Sequence, residues 1–128
     1  MAERRLGRTG VRVSALGLGL GPVGLARYPR AELQEVVQAA FDEGITYFDV
    51  QPNYGDAEAH LASWLRNYRD RVFLVTKTWA KTGDAALASV QRSVQRMNVD
   101  HVDAVLVNNI GDYDVERLFA AGGAFTGL

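Results

Sequence analysis

The chain of 128 residues has no cysteine, two histidines, three prolines and no net surplus of charge worth the name. Without cysteine there are no disulfides, no thiolate metal sites and no cysteine nucleophile. His60 and His101 are far apart in sequence and lack metal-ligand spacing, so no metal site is expected. Fourteen basic residues balance fifteen acidic ones to a net charge of −1. Arg4, Arg5 and Arg8 are too sparse a cluster to argue for nucleic acid. No apolar run approaches the ~20 residues of a membrane span. Met1-Ala-Glu-Arg-Arg-Leu6 carries charge but no apolar core, so no secretory leader is expected there. A reducing, cytoplasmic setting, with no membrane and no nucleic-acid partner, is the expectation.

What is present is ordinary for a folded domain: 48% hydrophobic residues, 23% charged residues and 13 glycines. The length suffices to bury a core. Short apolar runs alternate with amphipathic stretches, the pattern of parallel α/β architecture. Arg4–Leu6 and Val11–Val13 flank Gly7-Arg-Thr-Gly10 and predict a small hairpin. The first main strand is expected over Ala15–Leu20, thinned by Gly17, Gly19 and Gly21 as where another backbone or a ligand approaches closely. Pro29 opens a helix whose buried face is Leu33, Val36, Val37, Ala40 and Phe41, ended by Gly44. A strand over Ile45–Val50 follows, then a helix over Asp56–Tyr68 with Leu61, Trp64 and Leu65 inward.

The pattern repeats with a strand over Val72–Lys77 and a helix over Asp84–Met97 that turns Leu87, Val90, Val94 and Met97 to one side. A fourth strand spans Val102–Val107, and Asp114–Leu128 reads as a loop and the start of another helix. Successive strands begin about thirty residues apart, one βα unit each. Four such units fit either an open doubly wound sheet or part of a closed barrel. A whole (β/α)₈ barrel needs about 250 residues, so the chain would supply half of one.

Gly19-Leu-Gly21-Pro-Val-Gly24 has the outline of a dinucleotide fingerprint. Two features set that reading aside. Tyr28-Pro29 makes the following helix begin later than the motif requires. Asp49 lies thirty residues past Gly19, whereas the motif places its acid about 20 residues on.

The chemistry-bearing residues gather at strand ends. Tyr47 and Asp49 share one face of their strand, and Phe73, Val75 and Lys77 share one face of theirs. Adjacent parallel strands lie about 4.8 Å apart, so Asp49 and Lys77 can pair at the carboxyl rim, where α/β folds place their sites. Two charges there would be costly unless paired. Tyr54 follows in the next loop, before Gly55. An ammonium beside a phenol favours the phenolate, which suits Tyr54 to deliver a proton to a developing alkoxide. The plainer alternative, a surface tyrosine beside a structural ion pair, stands equally on spacing alone. Trp79 is either a wall of the site or a cap on the helix layer.

Four stretches, Leu6-Gly-Arg-Thr-Gly-Val-Arg-Val-Ser-Ala-Leu-Gly-Leu-Gly19, Gly44-Ile-Thr-Tyr-Phe-Asp49, Pro52-Asn-Tyr54-Gly-Asp-Ala-Glu58 and Val75-Thr-Lys77-Thr, together resemble the aldo-keto reductases. The resemblance covers nearly the whole chain, in order. It implies a TIM (β/α)₈ barrel of which this is the N-terminal half, closed at its base by the hairpin. One partial domain is then expected over residues 1–128, with the hairpin at 1–13 and βα units over 14–128. It further implies NADP(H) as cofactor, reduction of aldehydes and ketones to alcohols, Tyr54 as proton donor, and Asp49 and Lys77 as its support. Gly19, Gly21 and Asp49 are the implied cofactor contacts within this stretch. Glu58 matches a family glutamate, and the structural reading of it is preferred.

Two departures accompany the resemblance. Asn108 stands where the family usually has a catalytic histidine; it can donate a hydrogen bond to a carbonyl but cannot titrate near neutrality. The strands that usually hold the cofactor's phosphates are not in this sequence. A fragment of a longer product is expected first. The alternatives are a half-barrel that pairs with itself or with a complementary half, and a catalytically inactive remnant or assembly module.

Overall fold

The computed structural model describes residues 1–25 and 29–128, with only the backbone of Val23 and Leu25. Two short strands, β1 (Glu3–Arg5) and β2 (Arg12–Ser14), pair antiparallel as the expected hairpin. Four strands then form one parallel sheet in chain order: β3 (Gly17–Gly19), β4 (Tyr47–Asp49), β5 (Phe73–Thr78) and β6 (Ala104–Val107). The helices are α1 (Gly21–Leu25), α2 (Arg30–Asp42), α3 (Ala57–Tyr68), α4 (Gly83–Met97) and α5 (Val115–Phe119).

The sequential strand order decides between the two architectures. A doubly wound sheet reverses its order at a switch point and carries helices on both faces. Here no reversal occurs, and the buried strand residues Phe48, Val50 and Leu74 pack with Leu33 and Val37 of α2 and Leu61, Trp64 and Leu65 of α3 in one cluster. Tyr47, Asp49, Phe73 and Lys77 point the other way by strand parity. The sheet is half of a (β/α)₈ barrel, with its helix layer outside and its charged residues on the inner face.

The outer layer is tied by polar contacts as well as burial. Trp64 stacks on Tyr68 at 4.5 Å and meets Phe41 edge-on at 5.4 Å, while its Nε1 donates to Gln38 Oε1 at 2.8 Å. Gly44 ends the second helical segment as expected, with φ +84° and its N–H donating to Phe41 O. Val36 and Leu87, expected inside, are exposed. The buried ridge of α2 narrows to Leu33 and Val37, and that of α4 runs through Ala86, Ser93 and Met97. At 100° per residue, Val36 and Leu87 fall beside these ridges rather than on them.

The hairpin docks at the base of the sheet. Ser14 Oγ accepts from Thr46 N at 2.9 Å and Tyr47 N at 3.3 Å, and Ser14 N donates back to Thr46 Oγ1 at 3.2 Å. At the same end, Arg69 pairs with Asp103 at 2.8 Å and donates to the carbonyls of Val72 and His101. Asp103 Oδ2 also accepts from Leu74 N at 2.7 Å, which locks β5 against the segment entering β6. The base is thus fastened by side chains, leaving the opposite rim to the loops.

Candidate active site

At the carboxyl rim the ladder continues past the strands. Leu20 N donates to Asp49 O at 2.9 Å, Val50 N to Val75 O at 3.0 Å, and Asn108 N to Thr78 O at 2.9 Å. Asp49 sits in register between Gly19 and Val75, and Lys77 lies two residues further along β5, opposite Leu106. Both side chains therefore emerge on the inner face, one step apart on a diagonal. Lys77 Nζ reaches Asp49 Oδ1 at 2.6 Å, with 13% and 27% of the two side chains exposed.

The same ammonium donates to Tyr54 Oη at 3.4 Å and lies 5.4 Å from the centre of its ring. Burial draws the Lys77 pKa down, but the hydrogen bond and charge of Asp49, followed by those of Tyr54, outweigh it and leave the value raised above 10.5. Lys77 is held cationic. Tyr47, below on the same face, stacks on Phe73 at 5.5 Å; burial and then the Asp49 charge raise its phenol above 10.0, with Lys77 opposing. That phenol stays a neutral floor beneath the ion pair.

Tyr54 is placed by a short loop between β4 and α3. Its N–H donates to Gln51 O at 3.1 Å, its carbonyl accepts from Ala57 N at 3.0 Å, and Gly55 takes φ +53° to complete the turn. The ring then lies against the backbone of Gly21. α3 begins three residues later, and Glu58 in its first turn is only 3% exposed as a side chain. Its carboxylate accepts from Thr76 Oγ1 at 3.2 Å and from Arg96 at 2.6 Å, joining α3 to β5 and α4 behind the rim. Glu58 thus faces the helix layer, away from the inner face.

The structure brings Asp49, Tyr54 and Lys77 together, with Lys77 ion-paired to Asp49 and hydrogen-bonded to Tyr54. Asn108 lies one residue past β6 on the Leu106 parity, at the same rim and half-buried. Trp79 lines a separate cleft of about 380 Å³ with Pro52, Asn53 and residues of α4. Sequence reasoning missed three features: the Glu58–Arg96 pair, the glycine surface under Tyr54, and Gln51, whose buried Oε1 has no hydrogen-bond partner among the described residues. A signal for the first was present, since Glu58 and Arg96 sit in helices flanking Thr76.

A short helix does begin inside the glycine run, at Gly21, contrary to expectation, while the longer α2 follows Pro29 as expected. Tyr28 lies outside the described residues. Space decides the matter instead. A side-chain carbon on Gly21 or Gly24 would run into Tyr54 and its loop, so these glycines face protein rather than an open phosphate site.

Residues 15–121 match the model of the aldo/keto reductase family. The chain belongs to that family. It is 34% identical over 125 residues to the L-glyceraldehyde 3-phosphate reductase of Escherichia coli K12, covering 80% of this chain and 35% of that relative. It is 43% identical over 79 residues to the pyridoxal 4-dehydrogenase of Microbacterium luteolum, covering 59% and 23%. Among solved structures, an aldo/keto reductase from Klebsiella pneumoniae in complex with NADP and acetate superposes with a TM-score of 0.70 at 30% identity, over 77% of this chain and 36% of the other. A Pseudomonas aeruginosa protein provisionally named as an aldo-keto reductase superposes with a TM-score of 0.82 at 32% identity, over 93% and 50%. This aldo/keto reductase chain therefore spans half the length or less of these relatives. Its sheet is the N-terminal half of their barrel. No helix among the described residues is long and apolar enough to cross a membrane, and no group of side chains there could hold a metal ion.

Proposed function

We propose that this chain carries the proton-delivering rim of an NADPH-dependent carbonyl reductase, with Tyr54 as donor, Lys77 as its cationic support and Asp49 as the anchor of Lys77. The observation that supports this reading is the single ammonium that touches both Asp49 Oδ1 at 2.6 Å and Tyr54 Oη at 3.4 Å. A structural ion pair has no need of the phenol. A proton donor does, because the charge left on its oxygen must be met where it forms.

The chain's own residues perform the remaining work. Tyr54 Oη presents its proton to the carbonyl oxygen of a small aldehyde or ketone. As that proton leaves, the Lys77 ammonium lies within reach of the oxygen that loses it. Asp49 fixes the ammonium in position and, by raising its pKa, keeps it charged through the neutral and mildly alkaline range. Asn108 offers an amide N–H from the neighbouring strand, a donor that orients a carbonyl but does not titrate.

NADPH, when bound, supplies the hydride. Two features of the rim support a place for its reactive end: a side chain at Gly19 would meet nothing within 4 Å, and Gln51 Oε1 is an acceptor without a partner among the described residues. Gly19 and Asp49 are the residues here that would border it, whereas Gly21, also expected as a contact, is buried under the Tyr54 ring. We further read residues 1–128 as one partial domain whose open edges, β3 and β6, are completed by a complementary half-barrel or a second copy.

A second reading, a non-catalytic remnant or assembly module, draws on Asn108 in place of the usual histidine. Fluorescence titration with NADPH, followed by NADPH oxidation over a broad aldehyde panel, separates the two. The reductase reading expects quenching and turnover. No binding at high protein concentration leaves the module reading.

A further inference from the structure

In the glycine run Gly19-x-Gly21-x-x-Gly24, the last two glycines lie directly against Tyr54 and its loop. An ideal side-chain carbon built on Gly21 would stand 3.0, 3.1 and 3.4 Å from Cζ, Cε1 and Cε2 of Tyr54. The phenol ring thus rests directly on the Gly21 backbone at its hydroxyl end. The same carbon on Gly24 would overlap the carbonyl oxygen of Tyr54 and stand 2.7 Å from Cβ of Ala57. Gly19, two residues before Gly21, would meet nothing within 4 Å. The contact is therefore specific to two of the three glycines.

Neither close approach is explained by backbone freedom, since neither residue carries a positive φ. Closeness is the requirement. α1 is itself held to the rim: Leu20 N donates to Asp49 O at 2.9 Å and Gly24 N donates to Leu20 O at 2.9 Å. The hydrogen-bonded step that places Asp49 thus also places the surface under Tyr54. On the far side, Ala57 N holds the Tyr54 carbonyl at 3.0 Å. Tyr54 is gripped between α1 and the first turn of α3, with Lys77 at its oxygen.

We infer that Gly21 and Gly24 are positioning residues that form a seat for Tyr54, fixing the height and tilt of its phenol relative to Lys77. Gly24 sets the backbone of residue 54 and Gly21 sets its ring. The inference rests on the reading of Tyr54 as proton donor, and a methyl group on either glycine would move that donor without removing it. A displacement of about 1 Å at a reacting group can cost up to about 100-fold in rate.

The test uses the full 128-residue chain with ring-labelled tyrosine, the Tyr54 signal being assigned by its loss in Tyr54→Phe. Gly21→Ala and Gly24→Ala are expected to displace the Tyr54 ring signal, and Gly19→Ala to leave it in place. In active protein, Gly21→Ala is expected to lower kcat about tenfold with the carbonyl KM changed less than twofold. If Gly24→Ala does not fold, Gly21→Ala decides alone. An unmoved Tyr54 signal in folded Gly21→Ala would overturn the seat, as would equal displacement in all three variants or a wild-type kcat in Gly21→Ala. A displaced signal in a chain that never oxidises NADPH would uphold the seat and reject the reductase reading.

Discussion

Lys77 and Tyr54 touch, yet the two side chains make different demands on the fold. Replacing Tyr54 by Phe keeps the ring on Gly21 and removes only the hydroxyl. Replacing Lys77 by Met leaves Asp49 with no cation at a site where its side chain is 27% exposed. That loss is expected to lower stability by about 2 kcal/mol at pH 7, less than for a wholly buried pair. The pH dependence follows from the raised Lys77 pKa. A cation whose folded pKa exceeds its unfolded value contributes fully below the unfolded value, 10.5, and loses that contribution as pH rises through the folded one. Urea unfolding of wild type and Lys77→Met is therefore expected to differ steadily up to about pH 10 and converge above 10.5. A constant gap through that upper range would contradict the ion pair as the source. Asp49 and Lys77 were legible from parity alone, because alternation along neighbouring strands fixes which residues share a face. Gln51 was not: an orphaned amide oxygen depends on the path of a loop that carries no period.

Helices show where periodicity is a blunt guide. In α2 and α4 the 3.6-residue pattern found the right face but admitted Val36 and Leu87, which the packed sheet leaves outside. α1 escaped it altogether, since Gly-Pro-Val-Gly-Leu has little helix propensity and forms where Tyr54 and β4 require it. Glu58 shows a third case. Its position in the first turn of α3 was readable as a favourable end charge, whereas its burial against Thr76 and Arg96 requires α4 to pass behind β5. Arg96→Met is expected to leave that carboxylate buried without its cation and to cost about 3 kcal/mol in thermal or urea unfolding. Arg96→Lys should recover part of the loss, since a lysine keeps the charge but not the two-pronged donor. Equal stability of Arg96→Met and wild type would show that the pair is dispensable.

At the scale of the whole molecule, the sheet presents two strands that pair on one side only, β3 and β6, and an inner face on which Leu106 is 43% exposed. Paired parallel strands with both faces covered are the usual end state of such a sheet. Two copies related by a two-fold axis would bring β6 of one beside β3 of the other, in parallel, and close eight strands. Sedimentation equilibrium is expected to show a mass above 14.0 kDa that falls on dilution. A constant 14.0 kDa species at every concentration would contradict pairing with itself and leave a complementary half as the partner. Closure also matters for chemistry, because only a covered inner face excludes water from the rim.

The central claim is that Tyr54 delivers a proton beside a fixed ammonium, and steady-state NADPH oxidation with aldehydes, wild type against Tyr54→Phe, tests it most directly. The account predicts turnover by wild type and a loss of about 100-fold or more in Tyr54→Phe, with the NADPH dissociation constant and the unfolding midpoint unchanged. Equal turnover by the two proteins would contradict it.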